Sequence, residues 1–511
     1  MHEVQALRLD GSSLTVAALS QAALQSLPVE LDPAGLQAMA RSHALVGRMI
    51  RDKVPVYGVT TGLGARATEV LSAWALAEFS LQTLRGRAHA IGPEEAPEVV
   101  RAGLIVRLNT MLKGHSAARP EVAQHIAACL NAGLTPVAGQ IGSIGAADLV
   151  LNATVGLALV GEGRMRDARG RAGPSADMIQ AQGIDPLTLA PRDGLALANH
   201  AGAVSGMAAL AVSKAVCAFE AAQTAAALSM EGFRANTGPL APSVLMVKPY
   251  PGQLQAAEGL RRRLAGGALF EPGQARRLQD PLSFRNIAQI HGTTGMALAR
   301  AVECLEVEIN SSSDNPVAFA DSGGMTSCGA YFTAEITSVI ETLNRALVPL
   351  AMAQLARVAK LLNPEFSGLP NFLAMPDSAS NGFAPVMKAA EALVAELAHA
   401  AQPVPIWPSL NANGVEDCLT GSPAAAKALL RITAHLQRLT AIELLAACQA
   451  VELRGDAGSL GCFLSDACAH IRKISPALTE DRPLGEDIEQ LAEAVAQNRF
   501  AAGPGPADAT S

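Results

Sequence analysis

Six short segments of this chain hold the side chains best suited to moving protons or gripping charged groups. The first, Val56-Tyr57-Gly58-Val59-Thr60-Thr61-Gly62-Leu63-Gly64, wraps three glycines and two threonines around one of only three tyrosines. A phenol presented by a tight loop is suited to general-base work, provided it lies within hydrogen-bond reach of the proton it removes. The others are Gly142-Ser143-Ile144-Gly145-Ala146-Ala147-Asp148-Leu149, Ala198-Asn199, Gln279-Asp280-Pro281-Leu282-Ser283-Phe284-Arg285, Ser313-Asp314-Asn315-Pro316 and Asn413-Gly414-Val415-Glu416-Asp417. Among these, Arg285 offers a planar fork that matches a carboxylate. The ten histidines and eight cysteines form no His-x-x-x-His, Cys-x-x-Cys or mixed cluster, so no metal is expected.

Loops of this kind need a rigid frame, and the rest of the chain supplies the signals of one. Alanine-rich stretches with apolar residues three and four apart predict long, closely packed helices over Ala201–Met230, Ile336–Leu362, Ala384–Ala400 and Ala424–Ala450. Strand-like alternation is scarce. Glycine and proline punctuate 136–145, 170–174, 239–252 and 403–414, where polar loops interrupt the helices. The expected fold class is mainly α, with a smaller mixed domain over 1–200 that carries the tyrosine loop, a helical bundle with C-terminal helices over 201–500, and a disordered tail over 501–511.

Composition narrows the function classes. Half of the 511 residues are hydrophobic and 17% are charged, which predicts extensive burial and an oligomer. Asn152 interrupts the apolar run Leu149–Val160, and Lys214 and Glu220 interrupt Ala208–Met230, so no membrane span is expected. The start Met1-His2-Glu3-Val4-Gln5 shows no secretory signal, which gives the cytoplasm as the expected location. Net charge is −7 and the basic clusters are small, so nucleic acid is not an expected partner. The dispersed cysteines are expected to be buried, reduced thiols.

Taken together and in this order, the six segments resemble those of the histidine and phenylalanine ammonia-lyase family, from about Leu9 to about Gly503. The resemblance implies an ammonia-lyase/fumarase-like bundle of long helices, a homotetramer, and active sites that several subunits share. It also implies an electrophile, a methylidene-imidazolone made when an Ala-Ser-Gly tripeptide cyclises and loses water. This chain departs from the family there. The run Gly-Ser-Val-Gly-Ala-Ser-Gly-Asp-Leu is matched by Gly142-Ser143-Ile144-Gly145-Ala146-Ala147-Asp148-Leu149. Ala147 has no hydroxyl to lose, and the glycine whose unhindered nitrogen would attack is absent. Ser143 is followed by Ile144 and cannot stand in. The loop Ala146, Ala147, Asp148 is therefore a degenerate electrophile loop, and no cofactor is expected.

Without the electrophile, ammonia is a poor leaving group, whereas a quaternary ammonium can depart as a neutral tertiary amine. Electrophile-lacking members of the family include ergothionase, which releases trimethylamine from ergothioneine to give thiolurocanate, and the sequence resembles that branch. The alternatives are a histidine or aromatic amino acid ammonia-lyase or aminomutase, and an inactive paralogue.

The resemblance assigns roles residue by residue. Tyr57 matches the base that takes the β-proton; the competing role is a structural tyrosine. Arg285 matches the arginine that holds the substrate carboxylate, against a structural pairing with Asp280. Asn199, Gln279 and Asn315 match pocket amides, although buried amides also tie loops together. His89 matches a histidine that contacts the substrate ring in histidine-type members, and Phe332 a pocket phenylalanine. Glu416 matches a glutamate beside the substrate amine or ring, with one residue more than the usual spacing before it; otherwise it is an acid at a helix start. Lys388 stands on a helix where family positions line the pocket, and is expected to steady negative charge or take the proton, against a surface pairing with Glu391. Leu282 and Thr333 replace a tyrosine and a histidine of histidine ammonia-lyases.

Overall fold

The computed structural model describes residues 6–63, 70–71, 73–405, 407–455 and 457–502, without the side chains of 73–77 and 457. Gly64 of the tyrosine loop and most of the expected tail, 503–511, lie outside the described residues. The chain folds as two compact units. The first comprises Met1–Ser213, Ala301–Ile340 and Val404–Lys427; the second comprises Lys214–Arg300, Glu341–Pro403 and Ala428–Ser511. Four of the five divisions fall inside long helices, and the fifth, between Pro403 and Val404, follows the helix Val386–Ala400. The first of them lies close to the expected boundary near 200, but two later stretches return to the first unit.

The long helices are Gly202–Phe233, Ile287–Ile309, Ala334–Leu362 and Ser422–Arg454, with a shorter one at Val386–Ala400. The alanine spacing thus located four of these five to within a few residues. Small side chains let the backbones approach closely: a Cβ on Gly206 would stand 2.5 Å from the amide nitrogen of Gly103 on helix Pro97–Met111. By composition Asp193–Phe233 is long and apolar enough to cross a membrane, but 72% of its most apolar window is buried within the protein, the position of a core helix.

Among the described residues, strands are confined to the first unit and span two to four residues each, too short for alternation to show. Leu7–Leu9 pairs in parallel with Val29–Leu31, Ile91–Glu94 antiparallel with Gly139–Ile141, and Val317–Phe319 antiparallel with Gly324–Thr326. A three-stranded sheet joins Thr135–Pro136, Arg164–Arg166 and Ala172–Pro174.

Each unit contains a buried ion pair. In the first, Nη1 and Nη2 of Arg107 donate to the two carboxylate oxygens of Asp314, at 2.9 and 2.8 Å, and Arg192 adds a contact of 3.4 Å. In the second, Arg357 donates to both oxygens of Glu443, at 2.6 and 3.0 Å, and to the carbonyl of Ser283 at 3.4 Å. No disulfide joins any of the eight cysteines, but the expectation that they are buried is corrected: only Cys129 and Cys448 are fully so. Cys462 opens helix Cys462–Ile474 and Cys418 lies on a loop, and both are exposed because neither position faces a core.

Candidate active site

Hydrogen bonding within the tyrosine loop is dense. The carbonyl of Val56 accepts from the amides of Val59, Thr60 and Thr61 at 3.0–3.2 Å, and Thr60 Oγ1 bonds both the amide of Val56 and the carbonyl of Val54. Val56 and Val59 anchor the loop in a core with Leu45, Val46, Ala117 and Ala318. Gly58 has φ +63°, and a Cβ there would stand 2.4 Å from Leu195 Cδ2, so only glycine fits. With both flanks fixed, Tyr57 is half-buried in the wall of a cavity of about 590 Å³.

Ala146 and Ala147 of the degenerate loop line the same cavity. Gly145 is pinned by a buried hydroxyl cluster: Thr333 and Thr420 donate to its carbonyl at 3.0 and 3.2 Å, and Ser422 lies 2.6 Å from Thr333 Oγ1. Thr333, which replaces a family histidine, thus holds the loop in place. Ala147 and Asp148 both adopt left-handed backbone, φ +65° and +47°, a strain of about 1–2 kcal/mol per residue for side-chain-bearing residues. The contacts hold it. The amide of Ala147 donates to the carbonyl of Tyr331, and its own carbonyl accepts from Asn152 Nδ2 at 3.1 Å and the amide of His200 at 3.2 Å. Ala146 and Ala147 line the cavity, whereas Asp148 faces away from it. Its carboxylate accepts from Ser143 Oγ and from the amide of Val204 at 2.9 Å, where it caps the helix Gly202–Phe233. Burial pushes Asp148 up to about 6, against these hydrogen bonds.

Asn199 and Asn315 join the wall, and each also ties loops together. Asn199 Nδ2 donates to the carbonyl of Asn315 at 2.7 Å, and Asn315 Oδ1 accepts from the amide of Cys328 at 3.1 Å. Glu416 is also in the wall, despite the extra residue before it. Ala412, Asn413 and Gly414 take left-handed φ of +50°, +56° and +84°, a curl that absorbs the insertion and lets Asn411 pair with Glu416. Phe332 completes the expected set and pairs with Ala146.

Two further residues were not anticipated. Tyr331 lines the cavity beside Phe332, and its phenol is pushed above the ordinary range by burial and by the charges of Tyr57, Glu416 and Cys328. Arg87 lines it too; burial pulls its guanidinium down, while Tyr57 and Glu416 pull the other way. The scarcity of tyrosine was a usable signal for Tyr331, one of three in the chain. Nothing distinguished Arg87 from a surface arginine.

Four expected residues are not brought into this cavity. His89 is exposed two residues beyond Arg87. The other three belong to the second unit. Gln279 is exposed there, and Lys388 is exposed on helix Val386–Ala400. Arg285 is half-buried on the short helix Leu282–Arg285, held by Phe284, whose ring stacks on Phe233 at 4.3 Å. Asp280 bonds the amide of Asn236 at 2.6 Å, and burial raises it above the usual carboxylate range.

The arrangement suits proton abstraction from a small zwitterion. It presents a phenol, a carboxylate and a guanidinium around one cavity, together with the aromatic side chains of Tyr331 and Phe332 and the loop that adjoins them.

Comparison with known proteins points the same way. Residues 14–473 match the family described as aromatic amino acid lyase. The histidine ammonia-lyase of Symbiobacterium thermophilum is 34% identical over 487 residues, which cover 95% of this chain and 96% of the relative. Among solved structures, the ergothionase of Treponema denticola, in complex with desmethyl-ergothioneine sulfonic acid, aligns with a TM-score of 0.89 at 27% identity, covering 97% and 99% of the two chains. The histidine ammonia-lyase of Trypanosoma cruzi aligns with the same TM-score and identity, covering 98% and 96%. The mainly helical architecture is thus the ammonia-lyase fold.

Proposed function

This chain belongs to the aromatic amino acid lyase family, a family of carbon–nitrogen lyases, and on that premise we propose that it eliminates trimethylamine from ergothioneine, an imidazole-thione betaine, to give thiolurocanate. One observation carries the reading: Ala147 and Asp148 occupy the electrophile loop, where cyclisation and dehydration require serine and glycine. With no electrophile to activate a primary amine, the substrate must bring its own leaving group.

The cavity lining supports a quaternary ammonium. Tyr57, Tyr331 and Phe332 supply aromatic faces, in a chain that is only 3% aromatic, and Glu416 supplies a counter-charge. Such faces attract a methylated ammonium, which has no N–H donor to leave unpaired there. In the reaction, Tyr57 takes the β-proton, the Cβ–H electrons form the double bond, and the Cα–N bond breaks to release neutral trimethylamine. Asn199 bonds the carboxylate. Arg285, Gln279, His89 and Lys388 complete the site in a homotetramer whose subunits share active sites, which accounts for their places outside the protomer's own cavity. Leu278 at 95% exposed, Val247 at 85% and Leu282 at 57% are apolar side chains that such assembly would cover.

A second reading, ammonia release from histidine, is favoured by the 34% identity to a histidine ammonia-lyase. It would require a different electrophile or a more reactive substrate. Intact-mass measurement of the purified chain tests the premise: the full unmodified mass is expected, with no ultraviolet band of a cyclised tripeptide. A deficit of two waters would overturn the reading.

A further inference from the structure

In the second unit, the helices Ser422–Arg454 and Cys462–Ile474 meet where Arg472 of the later helix grips the last turns of the earlier one. Its guanidinium donates to both oxygens of Glu452, at 2.7 and 2.9 Å, and to Gln449 Oε1 at 3.4 Å. Cys448 stands one turn before Glu452 and Cys468 one turn before Arg472, so each thiol shares the helix face of the ion pair beside it. The two thiols are hydrogen-bonded to each other, and Cys448 Sγ also reaches Glu452 Oε1 at 3.8 Å. Arg472 is close enough for both thiols to favour its charge.

The pair is unequal. Cys448 is fully buried, whereas Cys468 is half-buried and open to a small oxidant. The hydrogen bond to Cys468, and then burial, hold the Cys448 thiol well above the ordinary range, so it keeps its proton until a partner sulfur is oxidised. We propose that Cys448 and Cys468 are a redox-active pair that hydrogen peroxide converts to a disulfide. The sulfur of Cys468 loses its proton and attacks one peroxide oxygen; the O–O bond breaks, the leaving hydroxide takes up that proton as water, and Cys468 becomes a sulfenic acid. Arg472 counters the negative charge on that sulfur as it reacts. Cys448 then attacks the oxidised sulfur, the S–S bond forms, the S–O bond breaks, and the hydroxyl leaves with the Cys448 proton as a second water. Two thiols are oxidised by two electrons and one peroxide is reduced to two waters. The cross-link ties Cys462–Ile474 to the helix that carries Glu443, the partner of Arg357. It is independent of the substrate.

The test is mass-spectrometric peptide mapping of the full-length protein, alkylated and digested without reductant. Hydrogen peroxide is added until the exposed Cys418 or Cys462 is oxidised, which sets a dose sufficient for an accessible thiol. The expected product is a Cys448 peptide joined to a Cys468 peptide, about 2 Da lighter than the two free peptides together, and separated again by dithiothreitol. Cys468→Ser should abolish it and leave Cys448 free; since Cys468 is the less buried of the two, this variant decides the matter even if Cys448→Ser does not fold. The cross-linked protein should melt at or above the temperature of the reduced one, because a bond between thiols already in contact restricts only the unfolded chain. Three results overturn the proposal: Cys448 and Cys468 recovered separately, as thiols or as sulfinic acids, after Cys418 or Cys462 has reacted; either of them joined to another cysteine instead; or a lower melting temperature in the cross-linked form, which would mean that the helices must be forced to meet.

Discussion

Asp314→Asn should destabilise the protein far more than a single amide-for-carboxylate exchange does at a surface. Asp314 is fully buried and meets Arg107 at 2.9 and 2.8 Å and Arg192 at 3.4 Å, and the side chains of both arginines are buried to within 1%. Burial alone would push its carboxyl up; Arg107, through charge and hydrogen bonds, and then Arg192 outweigh that and hold it below the usual range. Removing one member of a buried pair costs about 3–5 kcal/mol, because the other charge is left uncompensated. Two guanidiniums are left here, but each keeps backbone partners: Ala196 at 2.6 Å for Arg107, Ser116 at 2.7 Å and Pro316 at 3.0 Å for Arg192. The expected loss is therefore about 3–4 kcal/mol, toward the lower end of that range. Since Arg192 also donates to the carbonyl of Asn315, which accepts from Asn199, part of the loss should appear as a loosened cavity and a raised KM. The sign in pH follows from the depressed pKa. This carboxylate's contribution is present above the unfolded value near 4 and fades as pH falls through the folded one, so the difference between variant and wild type should be full at pH 7 and shrink in acid. The assay is urea unfolding followed by far-ultraviolet circular dichroism at fixed protein concentration, which holds assembly constant. Arg107→Met combined with Asp314→Asn should cost about 1–3 kcal/mol less than the sum of the single changes. A loss under about 1 kcal/mol for Asp314→Asn, the range of a surface pair, would refute the reasoning.

Tyr57→Phe should lower kcat by about 10²–10⁴-fold, the range for a lost general base, and leave equilibrium substrate binding largely unchanged; near-normal turnover would identify another base. Gly145→Ala should cost activity and lower Tm, because its φ is +79° and the added Cβ would stand 1.8 Å from Thr420 Oγ1; wild-type activity and melting would show that the hydroxyl cluster does not set the loop. Asp148, raised from 3.8 to about 6, contributes stability that is present below the unfolded value and lost as pH rises through 6, on the order of 3 kcal/mol. Asp148→Asn should flatten that part of the stability-against-pH curve between about 4 and 6, and an unchanged slope in urea unfolding would place the titration elsewhere.

The helices were legible because their signal is local and repeated. Alanine with apolar residues three and four apart runs through Gly202–Phe233 and Ser422–Arg454 for eight turns or more. The strands were not, since pieces such as Thr135–Pro136 are set by neighbours far along the chain. The same distinction divides the site. Tyr57, Ala146, Ala147, Asn199, Asn315 and Glu416 were legible through the motifs that hold them and Phe332 through the family resemblance, and the protomer brings them together. Asp148 was read with its loop, yet its carboxylate serves the N-terminus of another helix, a partnership no spacing encodes. Arg87 carries no signature apart from its neighbours in space.

The account turns on the leaving group, and the most direct measurement is the amine released when the purified protein is given ergothioneine or histidine in parallel. Each factor of ten in rate reflects about 1.4 kcal/mol of barrier, so a site that lacks the electrophile should separate the two substrates by several orders of magnitude. The account predicts trimethylamine and an ultraviolet-absorbing conjugated acid from ergothioneine, with little or no ammonia or urocanate from histidine; ammonia released from histidine as fast as trimethylamine from ergothioneine would contradict it.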